Sequence, residues 1–211
     1  MLPPKGTGLA QLLAHPAIWR GRSAARSATL STGFRALDDA LPGGGWPQAG
    51  LTEILAPRCG VGELRLLLPL LARAGAALPA RWTAWIAPPF EPYAPALAAH
   101  GVQIERQLVV RTELPLWAME QALDSGACAL VLAWIRRAQP RRLRRLQLAA
   151  GRGRTPGFLF RAFDGAREAS PAELRLLCEP GEGGMTLRLL KSRGGARAPV
   201  GIRWSELDGT A

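Results

Sequence analysis

From residue 29 onward the chain alternates short apolar runs with stretches of helical spacing, the pattern of a mostly parallel β-sheet flanked by helices. Residues 52–55 predict a first strand and 56–62 a turn. Residues 63–76 then predict a helix with Leu64, Leu67, Leu68 and Leu71 on one face and Glu63 in its first turn, where the helix dipole favours an anion. Further strands are predicted at 82–86 and 108–110, with a short helix at 93–100 between them and a longer one at 114–125 that Gly126 stops. The run 129–134 is the most apolar and predicts a central strand buried on both faces. A basic helix at 141–150 and a strand at 157–160 follow. Residues 174–178, 186–191 and 200–204, separated by Gly-rich turns, predict an antiparallel C-terminal extension.

This divides the chain into a short N-terminal arm (1–28), an α/β core (29–204) and a tail (205–211). In the arm Leu9, Leu12 and Leu13 share a helical face, His15-Pro16 interrupts it, and Trp19 is followed by Arg20 and Arg22. Such an arm docks either on its own core or on a partner. Trp19, Arg20, Arg22 and Trp204, which flank the core, are the candidate partner anchors, since Trp and Arg dominate interface energetics. Of the other tryptophans, Trp82, Trp85 and Trp134 are expected in the core.

With 211 residues, 48% hydrophobic and 20% charged, the chain can bury one real core. The apolar run 127–135 has nine residues, against the roughly 20 needed to cross a bilayer, and residues 1–8 lack a signal-type apolar stretch. A cytoplasmic location without membrane contact is expected. Three scattered cysteines and two histidines make neither a disulfide framework nor a metal site nor a Ser-His-Asp constellation.

The net charge is +11, with 25 Arg against 2 Lys. A GC-rich genome would account for choosing Arg over Lys but not for the positive surplus, which favours a polyanionic partner. Arg136, Arg137, Arg141, Arg142, Arg144 and Arg145 fall within ten residues, and Arg152 and Arg154 follow. Arg141, Arg144 and Arg145 share a helix face above Leu143, Leu146 and Leu148, so the cluster is either a DNA-contacting surface or a solvated helix face.

A strand, a glycine-containing turn and a helix form the geometry of a nucleotide phosphate cradle. Here the turn reads Ala56-Pro57-Arg58-Cys59-Gly60-Val61-Gly62-Glu63 and has neither the Lys that neutralises phosphates nor the Ser or Thr that holds magnesium. Glu63 would repel phosphate, and 131–134 carries no Asp at its end. No catalytic residue, metal or cofactor is expected.

The stretch Ser31-Thr32-Gly33-Phe34-Arg35-Ala36-Leu37-Asp38-Asp39-Ala40-Leu41-Pro42-Gly43-Gly44-Gly45-Trp46, continuing through Leu51-Thr52-Glu53-Ile54, resembles the segment leading into the Walker A loop of RecA-type recombinases. Gly62-Glu63-Leu64-Arg65-Leu66-Leu67-Leu68-Pro69, Trp82-Thr83-Ala84-Trp85-Ile86-Ala87-Pro88 and Gly157-Phe158-Leu159-Phe160-Arg161 are similar to the SulA/ImuA group of RecA-like proteins, whose nucleotide site has decayed. The arm residues around Trp19 and the strands beyond Arg161 make ImuA the better match within that group.

The resemblance implies a RecA-like core whose catalytic Glu position falls at Pro88 or Pro89, its magnesium-side Asp position at Ala133 and its sensing Gln position near Ala162. It also places the Arg cluster near the side where RecA holds single-stranded DNA, although 135–140 and 162–169 are too short to copy those loops. An ImuA likeness implies a non-catalytic adaptor in SOS-induced, error-prone translesion synthesis. Its partners would be ImuB, an inactive Y-family polymerase-like protein, together with RecA and an error-prone C-family DNA polymerase. A SulA likeness implies instead a cell-division inhibitor that binds the tubulin-like protein FtsZ.

Overall fold

The strand Cys128–Trp134 turns Leu130 and Leu132 to one side and Val131 and Ala133 to the other, and all four are fully buried. A strand apolar on both faces needs cover on both, which places helices above and below the sheet. The computed structural model describes residues 28–77, 81–192 and 198–208. Thr29–Leu30 (β1) and Trp46–Pro47 (β2) form a small antiparallel ribbon around the helix Arg35–Ala40 (α1). The main sheet contains β3 (Leu51–Ala56), β4 (Trp82–Ile86), β5 (Gln107–Val110), β6 (Cys128–Trp134), β7 (Gly157–Ala162), β8 (Leu174–Gly181), β9 (Gly184–Lys191) and β10 (Val200–Arg203). Its eight strands run in the order β10-β9-β8-β3-β7-β6-β4-β5.

Six of these strands, β8 to β5 in that order, are mutually parallel, and β9 and β10 add antiparallel. The expected mixed α/β architecture is therefore present, with β6 inside the parallel part and the last two strands antiparallel. Helices α2 (Leu68–Ala77) and α3 (Ala94–Ala99) cover one face, and α4 (Pro115–Asp124) and α5 (Pro140–Gly153) the other. Residues 205–208, expected as tail, form a last turn of helix, α6 (Ser205–Asp208), whose Leu207 packs on the core.

Three local expectations are corrected. The helix predicted from residue 63 begins only at Leu68, after a 3-10 turn at Arg65–Leu67. Pro69 has no N–H to complete an α-helical bond, so the ladder can start only around it. Helix α5 runs past Ala150 through two glycines, because its end presses on α4. A Cβ on Gly153 would lie 1.8 Å from the Leu123 carbonyl oxygen, so this position tolerates no side chain. Finally, Trp82 is 40% exposed with the Arg106 guanidinium 5.7 Å from its ring centroid, and Leu148 is exposed; neither is core.

One buried charge cluster holds the sheet to the segment after β7. Glu53 on β3 is fully buried and accepts from Arg175 Nε of β8 at 2.7 Å and from the Ser170 hydroxyl at 2.8 Å. Arg161 of β7 places Nη1 3.7 Å from the same carboxylate and gives Nη2 to Glu168 at 2.6 Å. Arg175 also donates to the carbonyls of Gly165 and Glu168 at 2.7 and 3.0 Å.

Three outcomes follow. Glu53→Gln removes the charge between two buried guanidiniums and should cost about 3–5 kcal/mol in urea unfolding. Arg154 closes α5 in the left-handed conformation, φ 49° and ψ 41°, where an L side chain costs about 1 kcal/mol. Arg154→Gly should therefore raise the thermal midpoint by about 2–4 °C, whereas Gly153→Ala should lower it.

Candidate functional site

The carboxyl ends of β3, β4 and β6 open on one edge of the sheet, the edge at which parallel α/β sheets take ligands. Ala56 ends β3, and Pro57, Arg58, Cys59, Gly60, Val61 and Gly62 form the connection to the 3-10 turn, with Gly60 and Gly62 at φ 84° and 101°. Both oxygens of the buried Glu63 carboxylate are used inside this loop, one accepting from the Gly60 N–H and the other from the Val61 N–H, each at 2.8 Å. Burial, and then the charge of Glu63, push the thiols of exposed Cys59 and buried Cys178 above the ordinary cysteine value. Neither is a poised nucleophile at neutral pH.

Beside the loop lies a cleft of about 530 Å³. Its floor belongs to a stack of rings across neighbouring strands: Trp85 and Trp134 centroids are 5.8 Å apart, Trp134 and Phe160 4.6 Å, each pair within 12° of parallel. Trp85 is locked by donating Nε1–H to Gln107 at 2.8 Å. Trp204 forms another wall, edge-on to Phe34 and beneath the Arg65 guanidinium 5.0 Å from its centroid. Trp204 is thus half-buried and engaged within the chain rather than a bare anchor.

Pro88, Pro89 and Pro92 line the far wall, following Ala87, which is held at φ 47°. They present Phe90 and Tyr93 outward, 71% and 70% exposed. On the same edge, after β5, Leu114 and Trp117 are 64% and 59% exposed, and the Arg111–Glu91 ion pair ties the two segments together. Trp117 was ambiguous in the sequence, and Phe90, Tyr93 and Leu114 were missed; their signal is large apolar residues in a Pro-rich loop and at a helix start, where no core awaits them. Large apolar side chains this exposed are the kind of feature that interaction surfaces use.

Among the basic residues, Arg145 pairs with Glu120 at 2.9 Å and Arg152 with Asp124 at 2.7 Å, so these two bridge α5 to α4. Hydrogen bonding to Arg152 holds the Asp124 carboxyl below its usual range. Arg141, Arg142, Arg144 and Arg154 are exposed, while Arg136 and Arg137 border a separate hollow of about 360 Å³ with Ala162 and Asp164. Trp19, Arg20 and Arg22 lie outside the described residues. Among the described residues no group of His, Cys, Asp and Glu is placed to hold a metal, and no helix is long and apolar enough to cross a membrane.

Comparison with known proteins bears on this edge directly. A family model described as Cell division inhibitor SulA matches residues 57–157, from the loop to the start of β7. Cell division inhibitor SulA of Photorhabdus laumondii is 36% identical over 126 residues, covering 53% of this chain and 63% of the relative, just under two thirds of its length. The protein of the same name from Edwardsiella piscicida is 34% identical over 128 residues, covering 59% of this chain and 75% of the relative. The crystal structure of SulA from Pseudomonas aeruginosa is 26% identical, with a TM-score of 0.44, covering 53% of this chain and 97% of that one.

The family model and the two SulA relatives overturn the ImuA reading, in which the chain is a translesion-synthesis adaptor for ImuB, RecA and a C-family polymerase. The features that pointed there, the arm around Trp19 and the strands beyond Arg161, lie outside residues 57–157. On the segment that carries the loop, the cleft and the aromatic edge, the chain belongs to the SulA family of cell division inhibitors.

Proposed function

We propose that this chain is a cell-division inhibitor of the SOS response that binds FtsZ and blocks its polymerisation. Membership of the SulA family carries the reading, since the relatives are named as inhibitors of division. An inhibitor of this kind acts by occupying a surface rather than by turnover. A stable complex needs about 800 Å² from each partner with a few rigid aromatic anchors near its centre. Phe90, Tyr93 and Trp117 supply such anchors and Leu114 adds exposed apolar area, all within the family-matched segment. Their backbone is held by Pro88, Pro89, Pro92 and Pro115, which lowers the ordering cost of association.

Sedimentation of FtsZ polymer tests the reading, with dose-dependent loss of pelleted polymer expected. Phe90→Ser combined with Trp117→Ser should weaken inhibition at least about 30-fold, the equivalent of one anchor worth about 2 kcal/mol. Because both side chains are exposed, the thermal midpoint should stay where it is. Undiminished polymer at saturating inhibitor would reject the function, whereas full inhibition by the double variant would reject only the surface.

A further inference from the structure

We infer that Glu63 is the resident anion of the 57–63 loop and that it keeps phosphates out of the adjoining cleft. A strand followed by a glycine turn gathers backbone N–H groups toward one point, and such nests ordinarily receive an anion from solution or a ligand. Here the anion is already present. The two carboxylate oxygens of Glu63 take the N–H groups of Gly60 and Val61, each at 2.8 Å. These are charge-assisted bonds, and Glu63 is only 5% exposed, so water does not compete well for them.

The loop is also closed from outside. Gly62, at φ 101°, has no Cβ, and one added there would meet the Trp204 ring at 2.8 Å. Trp204 therefore lies directly on the loop, with the Arg65 guanidinium 5.0 Å from its ring centroid. An incoming phosphate would have to displace a carboxylate tethered two and three residues from its donors and then sit against that same negative charge. Like-charge opposition alone would weaken binding; occupation of the donors removes the site. The adjoining cleft, floored by Trp85 and Trp134 and bordered by Arg65 and Glu91, is then left without the two backbone donors that Glu63 occupies.

The full chain and its Glu63→Ala variant are compared by thermal unfolding in inorganic pyrophosphate at constant ionic strength. The wild type carries the same surplus of arginine, so it reports any general affinity for polyanions. Its midpoint should not move. Glu63→Ala should unfold at a lower temperature and be restored saturably by pyrophosphate, which replaces the missing carboxylate. An equal saturable shift in the wild type, or none in a folded Glu63→Ala, overturns the inference. If the variant does not fold, amide exchange in the wild type decides. The Gly60 and Val61 N–H groups should then exchange on the order of tenfold more slowly than open peptide; exchange at the open rate overturns it.

Discussion

Glu53 is a carboxylate with no exposure to water, placed in the middle of the strand that lies at the centre of the sheet. A charge in that position is intolerable alone, and much of the fold beyond residue 157 can be understood as its compensation. Arg161 reaches it from β7 on one side and Arg175 from β8 on the other, while Ser170 completes its coordination from the connecting segment. Because β8 must lie beside β3 to deliver Arg175, the chain returns across the sheet, and β9 and β10 are added on its far side. The surplus guanidinium is matched by Glu168, which leaves the cluster electrically balanced.

A second carboxylate governs the functional edge in a different way. Glu63 turns inward and satisfies two donors of the loop after β3, and the edge beside it carries rings and prolines together with Arg65 and Glu91. The Trp85–Trp134–Phe160 stack stiffens the floor, and the ion pair between Arg111 and Glu91 links the proline loop to the start of α4. An edge built this way suits recognition of another protein, where rigid apolar anchors lose little entropy on association.

The elements themselves were largely legible in the residues. Val131 and Leu132, apolar toward both faces, required an interior strand, and the leucines of 143 and 146 required a helix with its arginines outward. That residues 56–63 carry no Lys, Ser or Thr was legible too. Branch membership was not. Trp19 and the strands after Arg161 drew the reading toward ImuA, yet both lie outside the segment that matches the SulA family.

What the sequence determined by itself is whatever depends on neighbours within one turn or one strand: the periodicity that sets strands and helices, and a turn at 56–63 written without Lys, Ser or Thr. The tertiary structure alone decided the rest, because it depends on which distant groups meet. Nothing local requires Gly153 to lack a side chain until the Leu123 carbonyl is found against it. Glu53 reads as an ordinary strand residue until two arginines, 108 and 122 positions away, converge on it. Phe90 and Trp117 carry no local mark of exposure until the backbone turns them to solvent. Burial and charge compensation are properties of the assembled chain, and no local pattern encodes them.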